Sequence, residues 1–105
     1  MANDLTILVG TAGQGIIRSG DGGETWQRVA TNQGMYQNPV VRVLVNHPSN
    51  PNLIYAGTDR GIFRSSDGGQ NWQSKESPLS RFSIWTIAID PTNPDTMYAG
   101  TGTPS

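Results

Sequence analysis

The side chains with most chemical potential in this 105-residue chain are few and scattered. Asp21 and Asp67 each head an Asp-Gly-Gly run, which resembles the opening of a calcium loop. Neither is followed by the alternating oxygen ligands and distal glutamate that such a loop requires, so a metal role is not expected. His47 has no second His or Cys at ligand spacing, and the matching position of a second segment holds Asp90, so His47 reads as a turn-capping residue. Arg42, Arg60 and Arg81 stand alone, whereas Arg18 and Arg64 sit at matching places before the two Asp-Gly-Gly runs. Asp59 and Glu76 are the remaining carboxylates placed on loops of one end of the molecule. None of these residues forms a catalytic or cofactor constellation by spacing alone.

The elements that position them come in repeats. Gln14 to Trp26 (QGIIRSGDGGETW) returns as Arg60 to Trp72 (RGIFRSSDGGQNW), 46 residues on. Val41 to Thr58 returns as Ile84 to Thr101, with Tyr55 matching Tyr98 43 residues on. A period of about 43 to 47 residues suits propeller blades or helical repeats. With 13 Gly, 7 Pro and 34% hydrophobic content, many turns and short strands are favoured over helices.

Strands are expected at Leu5 to Gly10, Ile16 to Ser19, Trp26 to Ala30, Val40 to Asn46, Leu53 to Gly57, Gly61 to Ser65, Trp72 to Ser74, Phe82 to Asp90 and Thr96 to Gly100. His47 to Asn52 and Pro91 to Asp95 read as turns, Thr31 to Pro39 and Lys75 to Arg81 as polar loops, and the final TGTPS as a turn leading nowhere. The fold expected is all-β: four-stranded antiparallel propeller blades, about 2.3 of them at this length. Residues 1–39 make a partial blade lacking its innermost strand, 40–82 a complete blade, and 83–105 the start of a third.

Net charge is -1 and there is no cysteine, so no disulfide, thiolate metal site, basic nucleic-acid footprint or membrane-binding face is expected. The opening MANDLTILVG has neither a signal peptide's basic start nor a spanning apolar run, which makes the cytoplasm the default compartment.

The octets SGDGGETW and SSDGGQNW resemble the Asp-box, or BNR repeat, with pattern Ser/Thr-x-Asp-x-Gly-x-Thr/Ser/Asn-Trp/Phe. The residues carrying it are Ser19, Asp21, Gly23, Thr25 and Trp26, and Ser65, Asp67, Gly69, Asn71 and Trp72. Asp accepts hydrogen bonds from its own turn, glycines permit positive φ, and Trp supplies apolar surface, so the motif reads as a structural staple. Proteins with such repeats include sialidases and other glycoside hydrolases, sortilin-type receptors and a photosystem II assembly factor. The resemblance implies a ligand face built from the turns after the second strand of each blade and the loops between blades.

Tyr36, Arg60, Arg81 and Phe82 are the candidate ligand residues there. A sialidase would need an arginine triad, a Tyr–Glu pair and an acid. Glu24 lies inside an Asp-box and Glu76 has no Tyr nearby in sequence, so active catalysis, and any cofactor, are not expected. Asp59 and Glu76 read as solvated loop charges rather than a glycosidase pair. Tyr55 and Tyr98 read as packing residues, Trp85 as strand core, and Met35 with Tyr36 as an exposed pair.

Two and a third blades cannot close a ring. The expected function is therefore a non-enzymatic binding or interaction scaffold, cut from a longer repeat protein, which completes its propeller with further copies of itself and holds a carbohydrate or protein on its loop face. One second strand too many then arises at each junction, and either Thr96 to Ser105 or Ala2 to Gly10 must be displaced. The alternative is a fragment of a sialidase-like glycoside hydrolase whose catalytic residues lie elsewhere.

Overall fold

The computed structural model describes residues 5–75 and 77–104. Nine strands form three antiparallel sheets in sequence order. The first holds β1 (Ile7–Gly10), β2 (Ile16–Ser19) and β3 (Gln27–Arg28). The second holds β4 (Val41–His47), β5 (Asn50–Thr58), β6 (Gly61–Ser65) and β7 (Gln73–Ser74). The third holds β8 (Phe82–Ile89) and β9 (Met97–Pro104). The molecule is all-β, a propeller-like succession of sheets, and among the described residues no helix is long and apolar enough to cross a membrane.

Alternation along the strands divides the core in two. Ile54, Ala56, Phe63 and Trp72 point from the second sheet toward Ile16 and Val29 of the first segment. Tyr55, Val43, Val45 and Ile62 belong to the opposite layer, with Ile84, Ile87 and Met97 of the third sheet. Each layer is the apolar face of one sheet covered by the next, and the second sheet, buried on both sides, is the centre of the fold.

Several expectations are corrected. The final strand does not stop at Gly100: β9 runs on to Pro104, because Thr101 and Pro104 pair with Ile84 and Phe82 and so keep the ladder supplied with partners. Only Pro48 and Ser49 turn between β4 and β5, since His47 pairs directly with Asn50, and Pro51 falls within the register shift where it removes no ladder donor. The strand expected from Trp26 to Ala30 is reduced to Gln27–Arg28, and that from Trp72 to Gln73–Ser74.

Met35 is not exposed but buried at 2%, because the loop bends back through a short 3-10 turn at Thr31–Gln33 and closes the first core layer. Gln33 anchors that bend: its carbonyl accepts from Trp72 N (2.7 Å) and its side-chain amide donates to Gln70 O (2.9 Å). Gly34 has φ 103°, and a Cβ there would meet the Trp72 carbonyl at 1.8 Å, so the loop approaches the next sheet as closely as glycine alone allows. Tyr98 is 62% exposed rather than packed, having no sheet beyond it, while its counterpart Tyr55 is half-buried beneath the third sheet.

Trp85 is also misplaced by alternation, at 52% exposed. The ladder slips between Ile84 and Thr86, as it does between Val41 and Val43. Such a bulge inserts an unpaired residue and re-aims its side chain. Arg42 and Trp85 are the two inserted residues; Val41 and Ile84 before them stay in the core.

Candidate ligand-binding face

Each Asp-Gly-Gly turn is built from its own side chains. Ser19 Oγ donates to Asp21 Oδ1 (2.8 Å) and accepts from Gly23 N (2.8 Å). Asp21 Oδ1 also accepts from Glu24 N (3.1 Å) and Thr25 N (2.9 Å), and Oδ2 accepts from Thr25 Oγ1 (2.6 Å). Ser65, Asp67, Gly69, Gln70 and Asn71 repeat the set, with Asn71 Nδ2 donating to Asp67 Oδ2 (2.8 Å) in place of the threonine hydroxyl. Gly23 and Gly69 hold φ of 101° and 93°, and their carbonyls accept the indole N–H of Trp26 and Trp72, both at 2.9 Å.

The hydrogen bonds from Thr25 and Ser19 pull the Asp21 carboxyl down to a pKa of about 2. Burial is the largest influence on Asp67 and acts upward, but the combined bonds from Asn71, Ser65 and Gln70 outweigh it and the pKa is again about 2. Both oxygens of each carboxylate carry donors, and a group ionised so far below neutrality is unsuited to donate a proton in catalysis. These turns stiffen hairpins. They also join sheets, because Arg18 Nε donates to Gly68 O (3.0 Å) across the first interface.

The opposite ends of the strands carry a second repeated device. Thr11 Oγ1 donates to Gly15 O (2.7 Å), and Thr58 Oγ1 to Gly61 O (2.9 Å), closing the turns that lead into β2 and β6. Both threonines end a similar apolar run, LVGT or YAGT, and that shared ending is their signal in the sequence.

On that end Tyr36 and Arg60 are brought together. The Arg60 guanidinium lies 4.5 Å from the Tyr36 ring centre, and the Tyr36 hydroxyl donates to Asp59 Oδ1. Asp59 also accepts from Val40 N (3.3 Å), so it is a loop-pinning acceptor rather than a free solvated charge. Burial, then the bond to Asp59, raises the Tyr36 hydroxyl to about 12, which keeps it protonated and excludes it as an activated nucleophile at neutral pH. Its ring also packs at 5.5 Å on Phe63. Phe82 stands apart, half-buried at the start of β8. Arg81 closes a short 3-10 turn, Pro78–Arg81; its side chain and the whole of Glu76 lie outside the described residues. His47 Nδ1 accepts from Ser49 N (3.1 Å), the turn-capping bond expected of it.

A second cation–aromatic pair was missed. Arg42 lies 4.1 Å over the ring of Trp85, joining the two bulge residues of neighbouring sheets. They border a shallow cleft of about 390 Å³ with Gly10, Thr11, Ala12, Val40 and Val41. The signal was present in the 43-residue spacing of Arg42 and Trp85, but only the bulges show that both leave the core. An exposed indole beside a guanidinium, with threonine and backbone polar groups around it, offers an apolar platform rimmed by hydrogen-bonding groups.

Two solved structures share this arrangement of sheets. An ancestral GH74 enzyme superposes with a TM-score of 0.75 at 26% identity over 92% of this chain. The Niastella koreensis GH74 enzyme superposes with a TM-score of 0.71 at 25% identity over 94%. These neighbours are glycoside hydrolases of propeller type. The chain spans only 12% and 16% of their lengths. No family model and no curated protein matches it.

Proposed function

We propose that this chain is a segment of a glycoside-hydrolase-like β-propeller, built of Asp-box blades, whose loop end presents part of a carbohydrate-binding surface. The observation that carries the proposal is the superposition on two GH74 enzymes over more than nine-tenths of the chain. In this reading the three sheets are successive blades, residues 1–39, 40–82 and 83–105, and the two octets are the structural staples of the first two. The Arg42–Trp85 platform is the part that touches ligand, an indole face being able to cover the apolar face of a sugar ring while Arg42 bonds its hydroxyls.

The segment is read as binding rather than hydrolysing. Hydrolysis needs two carboxylates set across a glycosidic bond, one of them able to hold a proton near neutrality. Asp21 and Asp67 are committed to their turns, and Asp59 is engaged by Tyr36. Affinity electrophoresis of the chain through gels containing neutral plant and microbial polysaccharides tests the reading. Retardation by at least one polysaccharide, abolished in Trp85→Ala, is the expected result, with no release of reducing ends. Unretarded migration across the panel, or equal retardation of Trp85→Ala, overturns it.

A further inference from the structure

The Arg42–Trp85 platform has a second support, and a glycine supplies it. From Ile84 to Thr86 β8 advances two residues while β9 advances one, from Thr101 to Gly100, and the extra residue is Trp85. From Phe82 to Ile84 the imbalance reverses, because β9 advances three residues, from Pro104 to Thr101, while β8 advances two. The two bulges cancel, and the pairs outside them, Phe82 with Pro104 and Thr86 with Gly100, share one register. Gly102 lies in the second bulge, next to the residue that the first one turns outward.

The indole of Trp85 rests on that glycine. A Cβ at Gly102 would run into Trp85 Nε1, nearer than side-chain atoms of folded proteins approach, and would stand 3.1 Å from Cδ1 and 3.3 Å from Cε2. The ring atoms on either side of the nitrogen are thus nearly equidistant, so Gly102 meets the N–H edge of the ring and not its face. Arg42 covers one face, 4.1 Å from the ring centre. Two elements therefore hold the indole, β4 through the guanidinium and β9 through the glycine, and the residue is still half exposed.

The repeats show the exchange that makes this room. Trp85 stands 43 residues after Arg42, and Gly102 stands 43 after Asp59. In the second sheet the Asp59 carboxylate accepts from Tyr36 and from Val40 N. In the third sheet a larger side chain at the bulge is accompanied by none at the facing position. Gly102 lies outside the left-handed region that other glycines of the chain occupy, so its backbone conformation does not require glycine; the close approach of the indole does.

We propose that Gly102 is the positioning residue of the ligand platform: it fixes the plane of the Trp85 indole, with Arg42 on one face, so that the remaining ring surface is set for a sugar before binding. The role rests on the carbohydrate reading of that platform. A ring already held loses less freedom when the sugar arrives, and that saving appears as affinity. Adding a methyl group at position 102 moves the neighbour that can yield, the indole, rather than backbone. Gly102→Ala is therefore expected to fold while displacing the ring from beneath Arg42.

The three tryptophans give three indole N–H signals by NMR. In Gly102→Ala the Trp85 signal, assigned by its loss in Trp85→Ala, is expected to move, while those of Trp26 and Trp72 stay, being bonded within their own turns. Retardation in gels containing hydroxyethyl cellulose, galactomannan or mixed-linkage β-glucan, whichever delays the wild type, is expected to weaken about tenfold. Thr101→Ala, an exposed change on the same strand, is expected to leave both readouts unaltered. An unmoved Trp85 signal, undiminished retardation, or an equal loss in Thr101→Ala overturns the positioning role and leaves the carbohydrate reading standing. A wild type that none of these polysaccharides delays removes the reading and the role together. Should Gly102→Ala not fold, the wild type decides: a nuclear Overhauser contact between the Trp85 indole proton and the Gly102 α protons is expected, and its absence overturns the proposal.

Discussion

The two Asp-Gly-Gly turns have the same internal bonds and opposite surroundings. Asp21 and Asp67 accept from the same positions within 0.2 Å or so, yet Trp26 is 44% exposed and Trp72 3%. The hairpin geometry is thus local, written in eight residues, while the stability the tryptophan confers depends on whether another sheet lies against it. Truncating Trp72 to alanine removes a side chain packed among Met35, Phe63 and Ile16, and is expected to cost about 3–5 kcal/mol. The same change at Trp26 is expected to cost under about 1 kcal/mol for a monomer. Urea unfolding of both variants at low concentration decides it, and equal losses would show that the indole's value lies in the hairpin itself rather than in the layer beneath it.

The same division explains what could be read from the residues alone. Strand order and the three-four-two grouping followed from short β-branched runs punctuated by Gly, Pro and Asn, because those signals are local. The octet's side-chain bonds were likewise foreseeable from residue type. What failed were judgements about burial. Met35 looked exposed because its neighbours are polar, and only the return of the 31–39 loop through Gly34 covers it. Trp85 looked buried because alternation was carried through a bulge that no single residue announces. The Arg42–Trp85 pair was lost with it, whereas Tyr36 and Arg60, which the resemblance put among the candidate ligand residues, lie in contact with each other.

The comparison sharpens at the aspartates. In Asp67→Ala the donors Gln70 N, Asn71 N and Asn71 Nδ2 lose their acceptor at once, in a turn whose Ser65 and Trp72 are buried. The expected loss is about 1–2 kcal/mol, held toward the lower end because the freed donors reach water. Asp21→Ala is expected to lose less, since no sheet lies over its tryptophan. Midpoints of urea unfolding test the order, and a larger loss at Asp21 would mean that the first turn braces something beyond its own hairpin.

A smaller difference separates Arg18 from Arg64. Arg18 donates to Gly68 O at 3.0 Å and so ties the first sheet to the second. Arg18→Ala is expected to cost about 1 kcal/mol, part of it the lost packing of the aliphatic stem. Arg64→Ala is expected to be nearly neutral, since among the described residues its side chain makes no hydrogen bond of the kind Arg18 makes. Equal destabilisation by both would place Arg64 in a comparable contact.

The smallest contrast expected is in acid, where the copies should behave alike. Both carboxyls fall from an ordinary 3.8 to about 2 through bonds confined to their own octets. A pKa lower in the folded chain than in the unfolded one means that the unfolded chain binds more protons at intermediate pH. The resulting stabilisation is fully present above the ordinary value, declines as pH drops from about 4, and is gone below about 2; solvent screening keeps it modest at these exposed sites. Following the Asp21 and Asp67 carboxyl carbons by NMR as pH is lowered is expected to give two midpoints close to 2. If Asp67 instead titrated well above Asp21, the burial that already pushes its carboxyl up would be outweighing the bonds of its octet, and the turn would not be independent of the sheet that covers it.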